Sequence, residues 1–76
     1  MAKVTFNLVW DHSDHIVTSF NTLKDCVNYI RLHVNDARKY IVEELVDGEE
    51  VDCCNAYYLL EKYKNLDTLP LTLTDC

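Results

Sequence analysis

The densest chemical feature of the sequence is an acidic segment at residues 43–52. It holds six of the thirteen carboxylates in the chain and contains no Lys, Arg or His. At its centre, Asp47-Gly48 is a strong signal for a tight hairpin turn. Carboxylates presented on such a turn can attract a basic protein surface by charge. The residues expected to contact a partner are Glu43, Glu44, Asp47, Glu49, Glu50, Asp52, Tyr57 and Tyr58.

The two tyrosines could supply the apolar part of such a contact. Tyr57 and Tyr58 are adjacent in a segment expected to be helical, so both cannot face the core. Tyr is favoured at protein interfaces because its side chain is large, rigid and polar at the tip. The alternative interpretation is a solvated surface whose charge only keeps a small protein in solution.

A second cluster, Asp11-His12-Ser13-Asp14-His15, contains residue types that bind metals. Imidazoles bind transition metals, and Cys53 or Cys54 could complete a zinc site if the fold brings them close. However, the chain has no Cys-x-x-Cys pair, and this ligand spacing is not a recognised one. A metal-binding domain that uses His12 and His15 with a Cys is therefore an alternative function, and no cofactor is expected.

Enzymatic chemistry is weakly indicated. Cys26 and His33 are about two helical turns apart, but Cys26 adjoins an apolar stripe, and a buried Cys is usually inert. Cys53 lies near the expected start of a helix, yet the charge of Glu49 and Glu50 opposes formation of a thiolate. Acid–base catalysis by the acidic segment would need a cleft, which a solvated hairpin does not offer. We therefore expect a protein that is not an enzyme.

Composition and charge limit the partner class. Seventy-six residues, of which 49% are hydrophobic, predict one globular domain at residues 1–76. The formal net charge of −6 argues against direct binding of nucleic acid or of anionic membranes. The sequence shows no signal peptide and no apolar run of ~20 residues. We therefore expect a cytoplasmic location and, in consequence, four free thiols.

Hydrophobic periodicity predicts the elements that position these residues. Alternating apolar residues predict strands at residues 3–10 and 15–20, joined by a polar turn. A stripe with helical spacing follows the cap residue Thr22 and predicts a helix that ends near residues 35–38. The stripe consists of Leu23, Val27, Ile30 and Val34.

The second half of the chain repeats this alternation of strands and helix. Residues 40–46 and 49–51 predict the two strands of the acidic hairpin. Asp52 is the expected N-cap of a second helix at residues 53–64. A final strand is expected at residues 68–74, where Leu alternates with other residues.

The predicted order, ββαββαβ, indicates a small two-layer α+β domain whose sheet is covered on one face by two helices. This order resembles the β-grasp architecture of ubiquitin-like domains: hairpin, helix, strands, short helix and final strand. The resemblance implies a sheet in which the last strand is internal. Conjugated modifiers end in Gly-Gly, whereas this sequence has Thr74-Asp75-Cys76. The resemblance therefore implies a fold and not modifier chemistry.

The function expected from these observations is non-enzymatic protein binding. In the most specific form of this hypothesis, the carboxylates occupy the positions that nucleic-acid phosphates would take on a partner. They thereby occlude the partner's nucleic-acid-binding surface. In size and charge the chain is similar to accessory proteins of phages and mobile elements, some of which inhibit nucleases. A third hypothesis is an oligomeric structural protein in which the strand at residues 68–74 pairs across subunits.

Overall fold

A computed structural model of the chain describes residues 3–12, 15–69 and 72–73. The described residues form four strands, two α-helices and two 3₁₀ helices. The strands are β1 (Val4–Trp10), β2 (His15–Phe20), β3 (Tyr40–Val46) and β4 (Glu49–Asn55). The α-helices are α1 (Leu23–His33) and α2 (Ala56–Lys62), and the 3₁₀ helices span Ala37–Lys39 and Leu66–Thr68. The predicted α+β class is confirmed, with an element order close to the predicted one.

The four strands form one antiparallel sheet in the order β2-β1-β3-β4. Strands β1 and β3 are therefore internal, and β2 and β4 form the edges. In a β-grasp sheet the final strand of the chain is internal, so the order of this sheet departs from the resemblance. The departure follows from the direct pairing of β1 with β3, which places Phe6 opposite Glu44 and Leu8 opposite Val42.

Helix α1 begins where the sequence predicts it. The Asp25 N–H donates to Thr22 Oγ1 at 3.1 Å, which satisfies one of the free donors of the first turn. The helix buries one face, formed by Leu23, Cys26, Val27 and Ile30. It ends at His33, slightly earlier than predicted, and the guanidinium of Arg31 donates to the carbonyls of Tyr63 and Lys64. Arg31 therefore ties α1 to the end of α2.

The start of α2 differs from the prediction. Asp52 does not cap the helix, because β4 continues through Cys53 and Cys54, which pair with Glu43 and Val42 of β3. The cap is Asn55, whose Oδ1 accepts the N–H groups of Tyr57 at 2.9 Å and Tyr58 at 3.4 Å. Asn and Asp are similarly good caps, so the longer strand pairing decides the boundary.

One hydrophobic core lies between the sheet and the helices. Its largest fully buried side chains are Phe6, Leu8, Leu23, Ile30, Leu59, Val27, Val42 and Cys26. Among the described residues, neither helix has the length and hydrophobicity that crossing a bilayer requires.

The strand predicted at residues 68–74 is not found in the part of it that the structure describes. Thr68 ends a 3₁₀ helix, and Leu69, Thr72 and Leu73 lie in no strand; residues 70, 71 and 74 are outside the described ranges. Leu73 is only 3% exposed and belongs to the core. Its N–H donates to Glu44 Oε1 at 2.6 Å. In a strand, this N–H would donate to a backbone carbonyl of the neighbouring strand instead.

Candidate functional site

The turn between β3 and β4 has the backbone conformation that the sequence predicts. Asp47 has φ of 53° and Gly48 has φ of 88°, as a tight turn with two left-handed residues requires. The turn is held to the start of β1 by two hydrogen bonds. Asp47 N–H donates to the Lys3 carbonyl at 2.8 Å, and Lys3 N–H donates to Asp47 Oδ1 at 2.9 Å. The turn therefore presents its side chains from a fixed position.

The six carboxylates of the acidic segment do not share one environment. Asp47, Glu49 and Glu50 are exposed, whereas Glu43 and Asp52 are half-buried. Within the described residues, the three exposed carboxylates form no ion pair with a basic side chain. We call Asp47, Glu49 and Glu50 the acidic turn. The acidic turn is the part of the segment that a partner could reach without rearrangement.

Glu44 lies inside the protein, at 6% exposure. Side chains alternate across a strand, so Glu44 shares the inner face of β3 with Val42, while Glu43 points to the opposite face. Burying a carboxylate is costly unless it is hydrogen-bonded, and Glu44 Oε1 accepts the Leu73 N–H. Glu44 therefore anchors residues 72–73. The prediction that Glu44 contacts a partner is not supported, because its side chain is not accessible.

An apolar groove lies at the end of the β3–β4 pair that is farther from the acidic turn, where Ile41 is opposite Asn55. Its volume is about 390 Å³, and it opens to solvent. It is lined by Ile41, Cys53, Cys54, Asn55 and Tyr58. The sequence does not reveal this groove, because its pattern predicts a helix that begins at Cys53, whereas β4 continues to Asn55. The edge of the sheet thus changes from acidic to apolar along β4.

The two tyrosines have different surroundings. Tyr57 and Tyr58 are 45% and 50% exposed, which confirms that they do not both face the core. Tyr58 lines the groove. The ring of Tyr57 lies under the guanidinium of Arg38, whose carbon is 5.7 Å from the ring centroid. Tyr58 is therefore the tyrosine that the fold places beside the edge of β4.

The cysteines do not all remain free thiols. Cys26 and Cys53 are free, whereas Cys54 is disulfide-bonded. Free thiols were expected from the predicted compartment, and a sequence cannot show which cysteines a fold brings together. Burial raises the pKa of Cys26 to about 12, so this thiol is protonated at neutral pH. It is unsuited to act as a nucleophile.

The fold does not unite the residues proposed as metal ligands. His15 is on edge strand β2 and Cys53 is on edge strand β4, so three inter-strand spacings, about 14 Å, separate them. His12 packs its ring edge-on against Trp10, with centroids 5.6 Å apart. The described part of the chain contains no group of three or more His, Cys, Asp or Glu side chains that could hold a metal. Asp14 lies outside that part.

Comparison with known proteins finds no matching family model, curated protein or solved structure. The candidate site is therefore interpreted from its own geometry: the acidic turn, the edge of β4 and the groove beside Tyr58.

Proposed function

We propose that this protein is a small, acidic, non-enzymatic module that binds another protein through the acidic turn. The observation that carries the proposal is the exposure of three carboxylates at the end of the β3–β4 hairpin, where Asp47 is hydrogen-bonded to the backbone of Lys3. No basic side chain of the described residues neutralises them. A complementary partner therefore presents Lys or Arg at matching positions.

Charge and apolar contact have separate roles in this mechanism. Exposed carboxylates steer a basic surface toward the turn and raise the association rate. Each such contact stabilises the complex only modestly, because water and salt screen it. Tyr58 and the groove supply the contacts that exclude water, and aromatic anchors of this kind contribute most to the lifetime of a complex.

In its most specific form, the partner is a nucleic-acid-binding protein. Its basic surface normally binds phosphates, and the carboxylates of the acidic turn occupy the same positions. The protein then acts in the cytoplasm as an inhibitor, in the manner of phage accessory proteins of similar size and charge. Its binding and the binding of nucleic acid exclude each other.

The test is affinity capture from nuclease-treated lysate with two variants of equal charge. The first variant neutralises the acidic turn with Asp47→Asn, Glu49→Gln and Glu50→Gln. The control neutralises three exposed carboxylates elsewhere with Asp11→Asn, Glu61→Gln and Asp67→Asn. Asn suits position 47 because it tolerates a left-handed backbone and retains an oxygen that can accept the Lys3 N–H.

We expect the native protein and the control to retain a common partner that the first variant loses. The affinity for the isolated partner should fall at least tenfold, which corresponds to about 1.4 kcal/mol. Equal loss with both variants would mean that only net charge matters, and equal retention would remove the acidic turn from the mechanism. Addition of duplex DNA or RNA to the complex then tests the inhibitor form, because it should displace the partner.

A further inference from the structure

The edge of β4 that faces away from β3 indicates which kind of backbone structure the partner contributes. We infer that the partner contributes an extended segment, which adds to the sheet as a new strand along Glu49–Cys53. Lys or Arg side chains of that segment contact the acidic half of β4, and an apolar side chain enters the groove beside Tyr58. This inference rests on the proposed function, because it names the structure of the basic surface that the acidic turn recognises.

The outer edge of β4 is unpaired among the described residues. Strand β4 pairs with β3 on one side, and no strand among the described residues pairs with its other side. An edge strand directs alternate backbone N–H and C=O groups outward, where they can bond to another strand. Proteins often protect such an edge with charged residues, Pro or bulges; β4 has no Lys or Pro, and its charges are carboxylates, which repel acidic strands and attract basic ones.

Individual residues on this edge have backbone groups that a new strand could pair with. Cys53 N–H donates to the side chain of Asp52 at 2.9 Å, so this amide is satisfied locally instead of by a neighbouring strand. Val51 has no partner in the register with β3 and is 55% exposed. A carbonyl of an incoming strand can replace the Asp52 carboxylate on Cys53. The carboxylate is then released to contact a basic side chain.

The charge of β4 favours a basic segment over a second copy of this chain. The strand carries Glu49, Glu50 and Asp52 and no basic residue. A second copy of this chain on the same edge would bring three further carboxylates close to these, which is unfavourable. The other edge strand, β2, also has exposed apolar residues, Ile16 and Val17, but no carboxylate that would select a basic segment.

Acidic and apolar residues occupy different ends of β4. Carboxylates occupy the end of β4 near the turn, and the groove with Ile41, Cys53 and Tyr58 lies toward the other end. Alternate side chains of an added strand point to one face of the sheet. The bound segment therefore has basic residues at one end and an apolar residue at the other.

The test uses synthetic peptides with alternating Lys in one half and alternating Val in the other. One peptide has the Lys half first, and a second has the reverse order, because strands add in either direction. Two further versions of the peptide that binds carry N-methyl groups at one or the other set of alternate backbone nitrogens. N-methylation removes hydrogen-bond donors and leaves the charges and side chains unchanged. Binding is followed by NMR of the labelled protein and by amide hydrogen exchange.

We expect one order of halves to bind and to slow exchange of the Cys53 amide. One methylated version should bind at least tenfold more weakly and the other nearly as well as the parent, because only one set of donors faces β4. Val51→Lys should weaken binding severalfold. Leu32→Lys, which makes the same change at an exposed site on α1, should not.

Failure of this inference can be distinguished from failure of the proposed function. If both methylated versions bind as well as the parent while the neutralised acidic turn abolishes binding, strand addition is wrong and charge recognition stands. Slowed exchange at β2 instead of β4 also overturns the inference. If no peptide binds, strand addition is rejected, and the capture experiment decides the proposed function separately.

Discussion

Cys26 and Cys53 both have free thiols, but their exposure to solvent differs. Cys26 is fully buried between α1 and the sheet, whereas Cys53 is exposed on β4. Burial disfavours the charged thiolate, which is why the pKa of Cys26 rises to about 12. At the scale of single residues, packing decides which of these groups can react with a reagent in solution.

The raised pKa of Cys26 predicts a dependence of stability on pH. Above about pH 9 the unfolded chain ionises this thiol, while the folded chain keeps the proton up to about pH 12. Unfolding then releases a proton, so its free energy falls as pH rises, by at most about 1.4 kcal/mol per pH unit. Urea unfolding of the native protein and of Cys26→Ala at pH 7, 9 and 10 measures the effect.

The difference in stability between the two proteins should shrink between pH 9 and 10, because Ala has no proton to lose. Tyr and Lys residues titrate in the same range, but they are common to both proteins and cancel in the difference. A difference that stays constant from pH 7 to 10 would contradict the burial of an un-ionised thiol.

Glu44 connects two elements that are distant in sequence. It lies on the inner face of β3, and its Oε1 accepts the N–H of Leu73, which is 29 residues further along the chain. Leu73 in turn fills the core beneath the sheet. The Glu44 carboxylate therefore holds residues 72–73 against the sheet through a side-chain hydrogen bond, whereas β1 to β4 are held together by backbone pairing. At the scale of elements, this hydrogen bond takes the place of the backbone pairing predicted for a last strand at residues 68–74.

This contact predicts effects of different size for two substitutions of Glu44. Glu44→Ala leaves the Leu73 N–H unpaired and creates a cavity, which should lower the free energy of unfolding by roughly 2–4 kcal/mol. Glu44→Gln keeps an acceptor oxygen, so its effect should be much smaller. Denaturant unfolding measures both. Equal destabilisation by Ala and Gln would mean that the charge matters and the hydrogen bond does not.

The whole molecule carries a net charge of −6 that is unevenly placed. The acidic turn lies at one end of the β3–β4 hairpin, while Arg31 lies on α1 and contacts the end of α2. A partner that approaches the turn meets three exposed carboxylates that form no ion pair with a basic side chain of the described residues. This asymmetry orients the encounter at the scale of the molecule.

Charge recognition predicts that partner binding weakens with salt. The Debye length falls from about 10 Å at 0.1 M to about 3 Å at 1 M salt, so steering by exposed carboxylates is lost first. The association rate constant should fall at least tenfold between 0.05 M and 0.5 M NaCl, with a smaller change in the dissociation rate. Surface plasmon resonance with the captured partner measures both rates. An association rate that does not change with salt would contradict the proposed function.

The local features of the fold could be predicted from the sequence. The alternation in β1, the stripe of α1 with its Thr22 cap, and the left-handed turn at Asp47-Gly48 each depend on residues close in sequence. Side-chain period and backbone conformation are short-range properties, so a few neighbouring residues suffice to specify them.

Only the tertiary structure decided how these elements combine into a site. The burial of Glu44 under residues 72–73 and the strand order that separates His15 from Cys53 both depend on residues far apart in sequence. So does the length of β4, because pairing with β3 carries it past Asp52 to Asn55. The sequence by itself determined that the segment at residues 43–52 is acidic and turns back. Strand pairing decided which of its carboxylates face solvent, because side-chain direction in a sheet is set by register.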